Sequence, residues 1–559
     1  MRQIPLTASP ALVGIGRDAA DARRYTPRVR RAAARAASVT TMQIDGYDVT
    51  PIIGLEIHVH LRTETKMWCG CALRYGDEPN THVCPVCLGM PGALPVMNRR
   101  AVELAIRTGL ALRCRIAETS RWDRKSYFYP DLPKNYQISQ YDQPLCCDGY
   151  FELPHGDEIR KIRITRAHLE EDAGKNVHDY ADCTAIDLNR AGAPLLEIVT
   201  EPDMRSADEA RAFAQQLHRL VRYLGVSDAN MQLGQMRFEP NINLEIRRGD
   251  ESIRTPIVEV KNLNSFHSLH AAVEYEISRQ FDQWRDTGET AATGNKRNRG
   301  WDDEREVTVA QREKEEANDY RYFPDPDLAF FAPEAQAVAR MREEMPELPL
   351  PRTERFISEY KLAAQDAPAL VDCRVSADLL DHAAEAGGDK TVLGKQFLGI
   401  WARLAKERET TIAGLGIGPQ RLAELSRLVA DGKINATAAN QIAERMAALA
   451  DEEFARRGGR PEADCRTEFP SLEIDSLDPA QLAEQLGLLQ TRDADQIGEW
   501  VRQALAANQK AVKDALENPK KRKAARGFLT GQVMKLSAGA ADPKLVGELI
   551  ERALAARDE

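Results

Sequence analysis

Acidic residues interrupt five otherwise apolar segments that have the pattern of β-strands or directly follow one. They are Glu56, the run of Glu170, Glu171 and Asp172, Glu197, Glu245 and Glu259. A carboxylate among apolar neighbours is costly unless it is paired with a cation or bound to a metal. Each of these acids alone also fits a solvent-facing strand position. Their occurrence together within residues 56–259 favours a sheet whose strands bring the acids into one pocket.

The segment Gly54-Leu-Glu-Ile-His-Val-His60 indicates how such a pocket forms. Glu56 and His58 are two positions apart, so both side chains point to the same face of a strand. Mg²⁺ prefers carboxylate oxygens and usually brings nucleotide phosphates with it. The sequence has neither a G-x-x-x-x-G-K-[ST] phosphate loop nor a dinucleotide fingerprint after a strand. A bound nucleotide is therefore expected in a pocket made of acids and metal.

The order of the elements predicts an α+β fold. Strand-like segments lie at residues 51–61, 161–166, 185–187, 195–200, 242–247 and 256–261. They do not alternate regularly with helices, which favours a mixed or antiparallel sheet over a doubly wound parallel one. One helix is indicated over residues 206–224, because Ser206 can cap it, Glu209 follows three positions later and Gly225 comes after its end.

The composition shifts at the turn-rich segment Glu347–Arg352, beyond which the chain reads as short helices rich in Ala, Leu, Glu and Arg. We predict a sheet-containing domain at residues 42–340 with an insert at 66–98. A helical domain at 341–480 and a small helical tail at 481–559 follow it. No stretch approaches the roughly 18 apolar residues of a membrane-spanning helix, so a membrane protein is excluded.

Two close pairs of cysteines, Cys69 with Cys71 and Cys84 with Cys87, predict a metal site. Four thiolates at this spacing can meet at one tetrahedral ion, and a site filled by four sulfurs is typical of structural zinc. Incidental buried cysteines or a redox pair are the alternatives. The chain has 10 cysteines in 559 residues, too few for a disulfide scaffold, so a reducing compartment is expected.

The first 41 residues differ from the rest of the chain. They contain eight arginines and two acids, which gives them a charge of +6 and leaves −16 on residues 42–559 of a chain with net charge −10. An Arg-rich, acid-poor leader is typical of an organellar transit peptide. The alternative is that Met42 is the true start and that residues 1–41 are a disordered or misassigned leader. A cytoplasmic location is then expected.

Cations gather in a few places even though the net charge argues against a protein coated in basic charge. The aromatic loops at 124–134 and 319–327 carry Lys125 and Arg321, and Arg190 precedes another turn. These loops can hold phosphates or pack aromatic rings under a rigid turn. Near the C-terminus five cations lie within seven residues, which fits contact with nucleic acid or a solvated helix end. They are Lys520, Lys521, Arg522, Lys523 and Arg526.

Longer motifs stand in a fixed order along the chain. They are GLEIH at 54–58, YFYPD at 127–131, YQISQ at 136–140, HLEEDAGK at 168–175, DLNR at 187–190, EIVTEPD at 197–203, KNLNSF at 261–266, DYRYFPDPD at 319–327 and GFLTGQVM at 527–534. From about residue 49 to the C-terminus the chain closely resembles the family formed by the B subunits of the bacterial aspartyl/glutamyl-tRNA(Asn/Gln) amidotransferases.

The resemblance implies an N-terminal catalytic cradle domain of glutamine-synthetase-like character and a two-step reaction that uses ATP. The side-chain carboxylate of Glu on tRNA(Gln), or of Asp on tRNA(Asn), is phosphorylated, and ammonia then displaces the phosphate. A carboxylate is a poor electrophile until one of its oxygens becomes a leaving group. Phosphoryl transfer itself depends mainly on positioning and Mg²⁺.

The resemblance also implies roles for individual residues. Glu56, His58 and Glu171 are the expected Mg²⁺ ligands, with Glu170, Glu197 and Glu259 behind them. Lys125, Arg190 and Lys261 are expected to face phosphates. The tail cations are expected to contact tRNA. No Ser/Lys amidase signature occurs, so a separate glutaminase A subunit, with a small C subunit, is expected to supply ammonia within a heterotrimer.

One segment departs from the family pattern. The usual Arg-Cys-Asp-Ala-Asn is replaced by Arg237-Phe-Glu-Pro-Asn241, so Glu239 stands in for a shorter acid. Pro240 removes a strand donor, which predicts a bulge or a strand edge. Two other functions stay open from the residues alone. One is a stand-alone carboxylate–amine ligase of glutamine-synthetase type, and the other is a zinc-bearing tRNA-binding scaffold without catalysis.

Overall fold

The computed structural model describes residues 41–156, 158–177, 183–291, 296–311, 320–461, 472, 478–491, 493–517, 521–537 and 539–558. Residues 1–40 of the predicted leader and Lys520 lie outside this range. The chain divides into two units between Pro346 and Glu347. None of the described helices combines the length and apolar character that crossing a bilayer requires.

The first unit is built around a sheet. Its strands are β1 (Met42–Ile44), β2 (Tyr47–His60), β3 (Arg115–Ile116), β4 (Asp123–Ser126), β5 (Tyr136–Ser139), β6 (Cys146–His155), β7 (Glu158–Glu171), β8 (Lys175–Val177), β9 (Ala185–Asp187), β10 (Pro194–Thr200), β11 (Met236–Arg248), β12 (Glu251–Arg254), β13 (Val258–Lys261), β14 (Arg297–Asp302), β15 (Val307–Ala310) and β16 (Phe323–Pro324). Its helices are α1 (Arg99–Ala111), α2 (Ala207–Tyr223), α3 (Phe266–Thr287) and α4 (Ala335–Glu343).

Eleven strands form one large sheet in the order β15-β14-β13-β11-β2-β10-β7-β6-β3, with β1 on β2 and β12 on β11. Only β13 and β14 pair in parallel, so the sheet is mixed and the predicted α+β class is confirmed. A second sheet, β16-β4-β5, joins two segments far apart in sequence, and β8 pairs with β9.

Strict alternation gives the large sheet two different faces. Along β11 every second residue from Met236 to Ile246 is buried, and the residues between them are only partly so. The buried face packs against helices, as Phe238 of β11 contacts Phe266 of α3 and Phe151 of β6 contacts Phe213 of α2. The other face is left to the polar side chains, which explains how acids occupy apolar strands without entering the core.

Helix α2 confirms the predicted helix almost residue for residue. The Ser206 hydroxyl accepts from the Glu209 backbone N–H at 3.1 Å, and the Glu209 carboxylate accepts from the Arg205 N–H at 2.7 Å. These bonds satisfy N–H groups that have no partner within the first turn. Gly225, just past the C-terminal end, has a φ of 68°.

Pro240 lies in an unbroken register with β2, pairing with Leu55, so the predicted bulge is absent on that side. Leu244, four residues further along β11, shows which way the backbone groups of this strand point. Its carbonyl accepts from Thr255 N at 3.0 Å, on the side of β11 away from β2. Backbone N–H and C=O groups of successive strand residues point alternately to the two neighbouring strands, so the backbone nitrogen of Pro240, which has no hydrogen, points to the same side as Leu244 and away from β2. There β13 pairs only with Asn241 and Ile242, so the proline occupies a local edge.

The second unit is helical throughout its described residues. Its helices are α5 (Pro349–Glu359), α6 (Ala367–Leu370), α7 (Arg374–Glu385), α8 (Lys390–Gln396), a π-helical turn (Phe397–Trp401), α9 (Ala402–Glu407), a 3₁₀ turn (Ala413–Leu415), α10 (Pro419–Ala430), α11 (Ala436–Arg456), α12 (Pro479–Gln485), α13 (Ala494–Ala507), α14 (Gln509–Glu517), α15 (Arg522–Leu536) and α16 (Pro543–Asp558). Helices α13 to α16 share a core that includes Ile497, Leu529 and Ile550. The division into domains at 341–480 and 481–559 stays a prediction.

The turn-rich segment Glu347–Arg352 is partly helical, because α5 begins within it. Pro349 occupies the first turn, where a missing N–H costs nothing. Arg352 is buried and anchors the helix to α7 by reaching Asp378 Oδ1 at 2.5 Å and Asp381 Oδ2 at 2.7 Å.

A fully buried carboxylate, Glu276 of α3, ties the edge of the large sheet to the helix. Arg279 donates to its two oxygens at 2.9 and 2.7 Å, Arg299 of β14 lies 3.3 Å away, and the Thr308 hydroxyl of β15 donates to it. Burial alone would raise the pKa of Glu276, but the charges of Arg279 and Arg299 and the hydrogen bonds outweigh it and lower the pKa.

We expect Glu276→Gln to destabilise the first unit by about 3–5 kcal/mol, because the buried guanidinium of Arg279 and the largely buried one of Arg299 lose their counter-charge. Urea unfolding followed by tryptophan fluorescence measures the change. Because the pKa of Glu276 is lower in the folded than in the unfolded protein, its carboxylate stabilises the fold fully above the ordinary glutamate pKa of about 4.3. This stabilisation is lost as the pH falls through the lowered pKa of the folded state. The difference between variant and wild type therefore narrows in acid.

Glu274→Gln is the matched control, since Glu274 lies on the same helix with a side chain 48% exposed. Its effect is expected to stay within about 0.5 kcal/mol. Equal destabilisation by both variants at neutral pH would contradict the role of the Glu276 network.

Candidate functional site

Cross-strand register brings the predicted acids together on the polar face of the large sheet. Glu197 of β10 lies opposite His58 of β2 on one side and His168 of β7 on the other. On the far side of β2, Glu239 of β11 lies opposite Glu56. Four adjacent strands thus contribute to one row of acids and imidazoles.

His58 lies at the centre of the first group of acids. Its Nε2 is 3.4 Å from Glu56 Oε1, 3.4 Å from Glu197 Oε2 and 3.9 Å from Glu170 Oε1. Glu170 and Glu197 are buried. His168 extends the group, with its Nε2 3.7 Å from Glu197 Oε2. The ligand atoms of His168, Glu170 and Glu197 lie close enough to one another to hold a single cation, as do those of Glu56, His58 and Glu197.

The charges of this cluster are strongly interdependent. Burial and the neighbouring Glu197 carboxylate raise the pKa of Glu56 to about 7. Burial would lower the pKa of His58, but the hydrogen bond and charge of Glu197 and the charge of Glu56 outweigh it and raise the pKa to about 9. His58 therefore carries a proton at neutral pH and neutralises part of the acidic group. Burial and the cation Arg166 lower the pKa of His168 to about 4, so that imidazole is neutral.

A second group of acids adjoins the first through Glu56. Its members are Glu56, Glu239 and Glu259, and their oxygens also lie within reach of one ion. Lys261 occupies this group: its ammonium bonds to Glu239 and lies 3.2 Å from Glu259 Oε1. These two carboxylates outweigh the effect of burial and raise the pKa of Lys261. Lys261 therefore faces carboxylates here, not an open phosphate position.

The structure does not bring Glu171 to the other two predicted Mg²⁺ ligands. Adjacent residues of a strand point to opposite faces, and Glu170 takes the polar face. The Glu171 carboxylate instead bonds to the Lys134 ammonium and accepts from the Ile138 N–H at 2.9 Å. Strand β7 runs through Glu171, pairing with Pro194, so these acids lie within a strand and do not follow one as expected. Glu245 also lies outside the acidic groups, and its Oε2 is 3.0 Å from Arg247 Nη2.

The predicted cations differ in what they contact. Lys125 Nζ lies 4.0 Å from Glu170 Oε2 and faces the first acidic group. Arg190 donates to the carbonyls of Ala173 at 3.0 Å and Gly174 at 2.6 Å, and its Nε is 3.3 Å from Asp172 Oδ2. It thus fastens the turn after β7, with about a quarter of its side chain exposed.

Asp172, one of the acids that the sequence singled out, is the centre of a polar network whose other members the sequence did not indicate. It accepts from His60 Nε2 at 2.7 Å and bonds to the guanidinium of Arg237. The charges of Arg237 and Arg190 outweigh burial and hold the pKa of Asp172 well below its usual range. His60 also contacts Tyr75 through its Nδ1 at 2.7 Å. The network fixes two arginines at the margin of the acidic face.

His168 and Glu239 are the site residues that sequence reasoning assigned too little weight. His168-Leu-Glu170 repeats the spacing of Glu56-Ile-His58, which is a usable signal for one strand face. Within the described part of the chain, the Nδ1 atoms of His58 and His168 are buried without a hydrogen-bond partner. The carboxylate oxygens suit a hard divalent cation such as Mg²⁺, whereas imidazole is a less usual ligand for it.

The four predicted cysteine ligands do meet. Cys87 Sγ lies 3.6 Å from Cys69 Sγ, 3.7 Å from Cys84 Sγ and 3.9 Å from Cys71 Sγ. Tetrahedral zinc with bonds of about 2.3 Å separates its sulfurs by about 3.8 Å, so the arrangement fits that ion. The hydrogen bond with Cys69 contributes most to lowering the pKa of Cys87 to about 4, and the Lys66 ammonium adds to it.

The cysteine cluster is attached to the loop that carries Arg190. Lys66 is buried, and its Nζ donates to Cys87 Sγ at 3.5 Å and to the Leu188 carbonyl at 3.1 Å. Met67 N donates to the Gly192 carbonyl at 2.7 Å. The cysteine cluster therefore supports one margin of the acidic face.

The tail cations are only partly available to a ligand. Arg526 Nη1 is 2.5 Å from Glu551 Oε1, and Arg522 donates to the Ala515 carbonyl at 3.0 Å. Lys521 Nζ lies 3.9 Å from Asp514, with 61% of its side chain exposed. Lys523 is exposed, and Lys520 lies outside the described residues. Two of the five predicted cations thus support the fold of the tail.

Comparison with known proteins identifies the family of the chain. The family model described as the GatB/GatE catalytic domain matches residues 51–339, and the one described as the GatB domain matches residues 378–554. The chain is 43% identical over 512 residues to the B subunit of an aspartyl/glutamyl-tRNA(Asn/Gln) amidotransferase of Rhodopirellula baltica, a match that covers 90% of this chain and 96% of that protein.

Proteins of the same name from Moorella thermoacetica and Thermodesulfovibrio yellowstonii are each 41% identical. The matches span 90% of this chain with 99% and 98% of the respective relatives. The two family models together span the acidic face, the cysteine cluster and most of the tail helices. The chain therefore belongs to the family formed by the B subunits of the aspartyl/glutamyl-tRNA(Asn/Gln) amidotransferases.

Proposed function

We propose that this chain, as the B subunit of a tRNA-dependent amidotransferase, phosphorylates and then amidates an acidic amino acid carried by tRNA. ATP transfers its terminal phosphoryl group to the side-chain carboxylate of Glu-tRNA(Gln) or Asp-tRNA(Asn), which gives ADP and an acyl phosphate. Ammonia then attacks the acyl carbon and phosphate leaves, so that Gln-tRNA(Gln) or Asn-tRNA(Asn) results. The enzyme is a carbon–nitrogen ligase that takes its nitrogen from glutamine.

The observation that carries the proposal is the row of buried acids and imidazoles on one sheet face. Phosphoryl transfer is achieved mainly by positioning and by neutralising charge on the phosphates. Glu170, Glu197 and Glu56 supply closely spaced carboxylate oxygens, and Lys125 lies at the rim of the same group. A chain that only bound tRNA would have no need of so many mutually repelling buried carboxylates.

The contacts of each residue suggest its role in the proposed reaction. Glu56, His58, Glu170 and Glu197 would hold Mg²⁺, with His168 beside them, and Glu239 and Glu259 form a neighbouring group. When bound, Mg²⁺ would neutralise the triphosphate and the charge that develops during transfer. Lys125 faces the transferred phosphoryl group. Arg190 and Lys261 take supporting positions, since their cationic groups already contact carbonyls or carboxylates.

The proton on His58 makes this side chain a counter-ion for the neighbouring carboxylates. With a pKa of about 9, His58 stands between Glu56 and Glu197 as a cation while the acids have no other counter-ion. Coordination through Nε2 requires the neutral imidazole, so metal binding at this atom releases its proton.

The nitrogen supply involves partner proteins. We propose a heterotrimer in which a glutaminase A subunit produces ammonia, a small C subunit holds the pair together, and the ammonia travels to the acyl phosphate on this chain. The family name, which counts this chain as a B subunit, supports a multi-subunit enzyme.

The purified complex tests the reaction directly. We expect ADP release that requires Mg²⁺ together with Glu-tRNA(Gln) or Asp-tRNA(Asn). ADP formed from free glutamate and ammonia alone would favour a stand-alone ligase, and no ADP with either charged tRNA would favour a non-catalytic scaffold.

Substitution of the adjacent residues Glu170 and Glu171 tests which of the two binds the metal. Glu170→Gln is expected to weaken Mn²⁺ binding, followed by paramagnetic resonance, by about 10–100-fold and to reduce ADP release accordingly. Glu171→Gln should keep the Mn²⁺ affinity and instead lower the unfolding free energy by about 3–5 kcal/mol, since buried Lys134 loses its partner. Weaker Mn²⁺ binding in Glu171→Gln alone would contradict this placement.

We also predict about one zinc ion per chain, held by Cys69, Cys71, Cys84 and Cys87. Cys84→Ser is expected to lose most of the zinc, measured by elemental analysis of the purified complex. Cys147→Ser is the matched control, because Cys147 is partly exposed but lies outside the cluster. Unaltered zinc content in Cys84→Ser would contradict the four-cysteine site.

We propose that the tail contacts the tRNA backbone through Lys521 and Lys523, with Lys520 as a further candidate from the sequence. The double change Lys521→Glu and Lys523→Glu should weaken tRNA binding and reduce the slope of log K against log salt by about 2, roughly one for each phosphate that is no longer neutralised. Lys544→Glu, an exposed lysine outside the basic run, should leave the slope unchanged. An unchanged slope in the double variant would remove this surface from the tRNA interface.

A further inference from the structure

Two aromatic loops that are almost 200 positions apart in the sequence meet beside the acidic face. Phe323 of β16 pairs with Arg124 of β4, and the Ser126 N–H donates to the Tyr320 carbonyl at 2.8 Å. The sequence left open whether these loops hold ligands or only pack under turns. Their pairing makes them one structural element.

The inner side of this element is a wall of tyrosines next to Lys125. The Lys125 ammonium, 4.0 Å from Glu170, also lies 5.3 Å from the centre of the Tyr320 ring. Tyr127 packs edge-on against Tyr320 at 6.1 Å, and Tyr322 stacks on Tyr141 at 4.3 Å. The wall therefore borders the acidic group directly.

The outer side of the same element exposes large rings. Three of the seven exposed Phe and Tyr side chains in the described part of the chain come from these two loops: Phe128, Tyr129 and Phe323. Phe128 is 67% exposed and Tyr129 is 59% exposed. Exposed rings grouped in this way mark a binding surface more often than chance.

Phe128, Tyr129 and Arg321 form what we call the aromatic rim. The Arg321 guanidinium carbon lies 5.8 Å from the centre of the Phe128 ring. Backbone bonds hold the rim in place, because Tyr127 N donates to the Asn135 carbonyl at 3.2 Å and Leu132 N to the Tyr129 carbonyl at 3.0 Å. Arg321 itself has a left-handed φ of 48°, which costs free energy in a residue other than glycine.

We propose that the aromatic rim stacks the unpaired nucleobase at the 3′ end of the aminoacyl-tRNA. The proposal deepens the proposed function and rests on it. Unstacked bases of single-stranded ends are recognised on aromatic side chains and on arginine planes. The adenine of ATP fits less well, because small-molecule sites bury most of their ligand, whereas the rim is open.

The distances along the chain agree with this assignment. The Cα atoms of Lys125 and Phe128 are at most about 11 Å apart, three extended residues. The terminal ribose and the esterified amino acid bridge a comparable gap between the last base and the side-chain carboxylate. A base on the rim therefore lets the carboxylate reach the acidic face past the tyrosine wall.

The test uses the complete complex and a tRNA whose 3′-terminal base is 2-aminopurine. Stacking on the wild-type rim is expected to quench the fluorescence of the probe. Phe128→Ala should abolish most of the quenching and weaken binding about tenfold, the scale of one missing stacking interaction. Phe128→Trp should restore both. With natural substrates, Phe128→Ala should raise the KM for aminoacyl-tRNA about tenfold and leave the KM for ATP unchanged.

Phe330→Ala is the matched control, because Phe330 is 59% exposed while its neighbour Phe331 packs on Trp122 instead of the tyrosine wall. Full quenching in Phe128→Ala, or a raised KM for ATP in place of that for aminoacyl-tRNA, would overturn the proposal. Wild-type enzyme that released no ADP with charged tRNA would instead overturn the proposed function and the rim assignment with it. Normal wild-type turnover with an unaffected Phe128→Ala variant would overturn the rim assignment alone.

Discussion

Repulsion among carboxylates that share one sheet face is the constraint on which the rest of the site depends. Glu56 and Glu170 each lie within a few ångströms of Glu197, and all three are largely withdrawn from water, which is tolerable only if cations remain nearby. The chain supplies these cations itself, as protonated His58 in the first group and Lys261 in the second. The folded protein thus holds counter-charges at the positions where the proposed function would place metal and phosphates.

The surroundings of the acidic face keep it rigid from several directions. Asp172 fixes Arg190 and Arg237 on one margin, and the cysteine cluster supports the Arg190 loop through Lys66. The β16-β4-β5 sheet borders the acidic face with its tyrosine wall. Catalysis by positioning needs supports of this kind, because small displacements of charged groups are costly in rate.

Local patterns predicted those features that depend only on neighbouring residues. The alternation of Glu56 and His58, the caps of α2 and the spacing of the four cysteines all follow from short-range geometry. The register between strands does not follow from short-range geometry, because it is set by partner strands that are distant in the sequence. The continuation of β7 through Glu171 turned that acid away from the expected ligands, and only the pairing of β16 with β4 joined the two aromatic loops.

The central position of β2 has a consequence for how the chain emerges from the ribosome. This strand is made early, yet its two long neighbours begin only at Pro194 and Met236. Until they are synthesised, residues 50–60 of this apolar strand, beyond its pairing with β1, have both edges open to wrong partners, and such non-local pairing is slow. Charges on a strand discourage edge-to-edge association. Glu56 and His58 would then protect the nascent chain from aggregation before they serve the finished site.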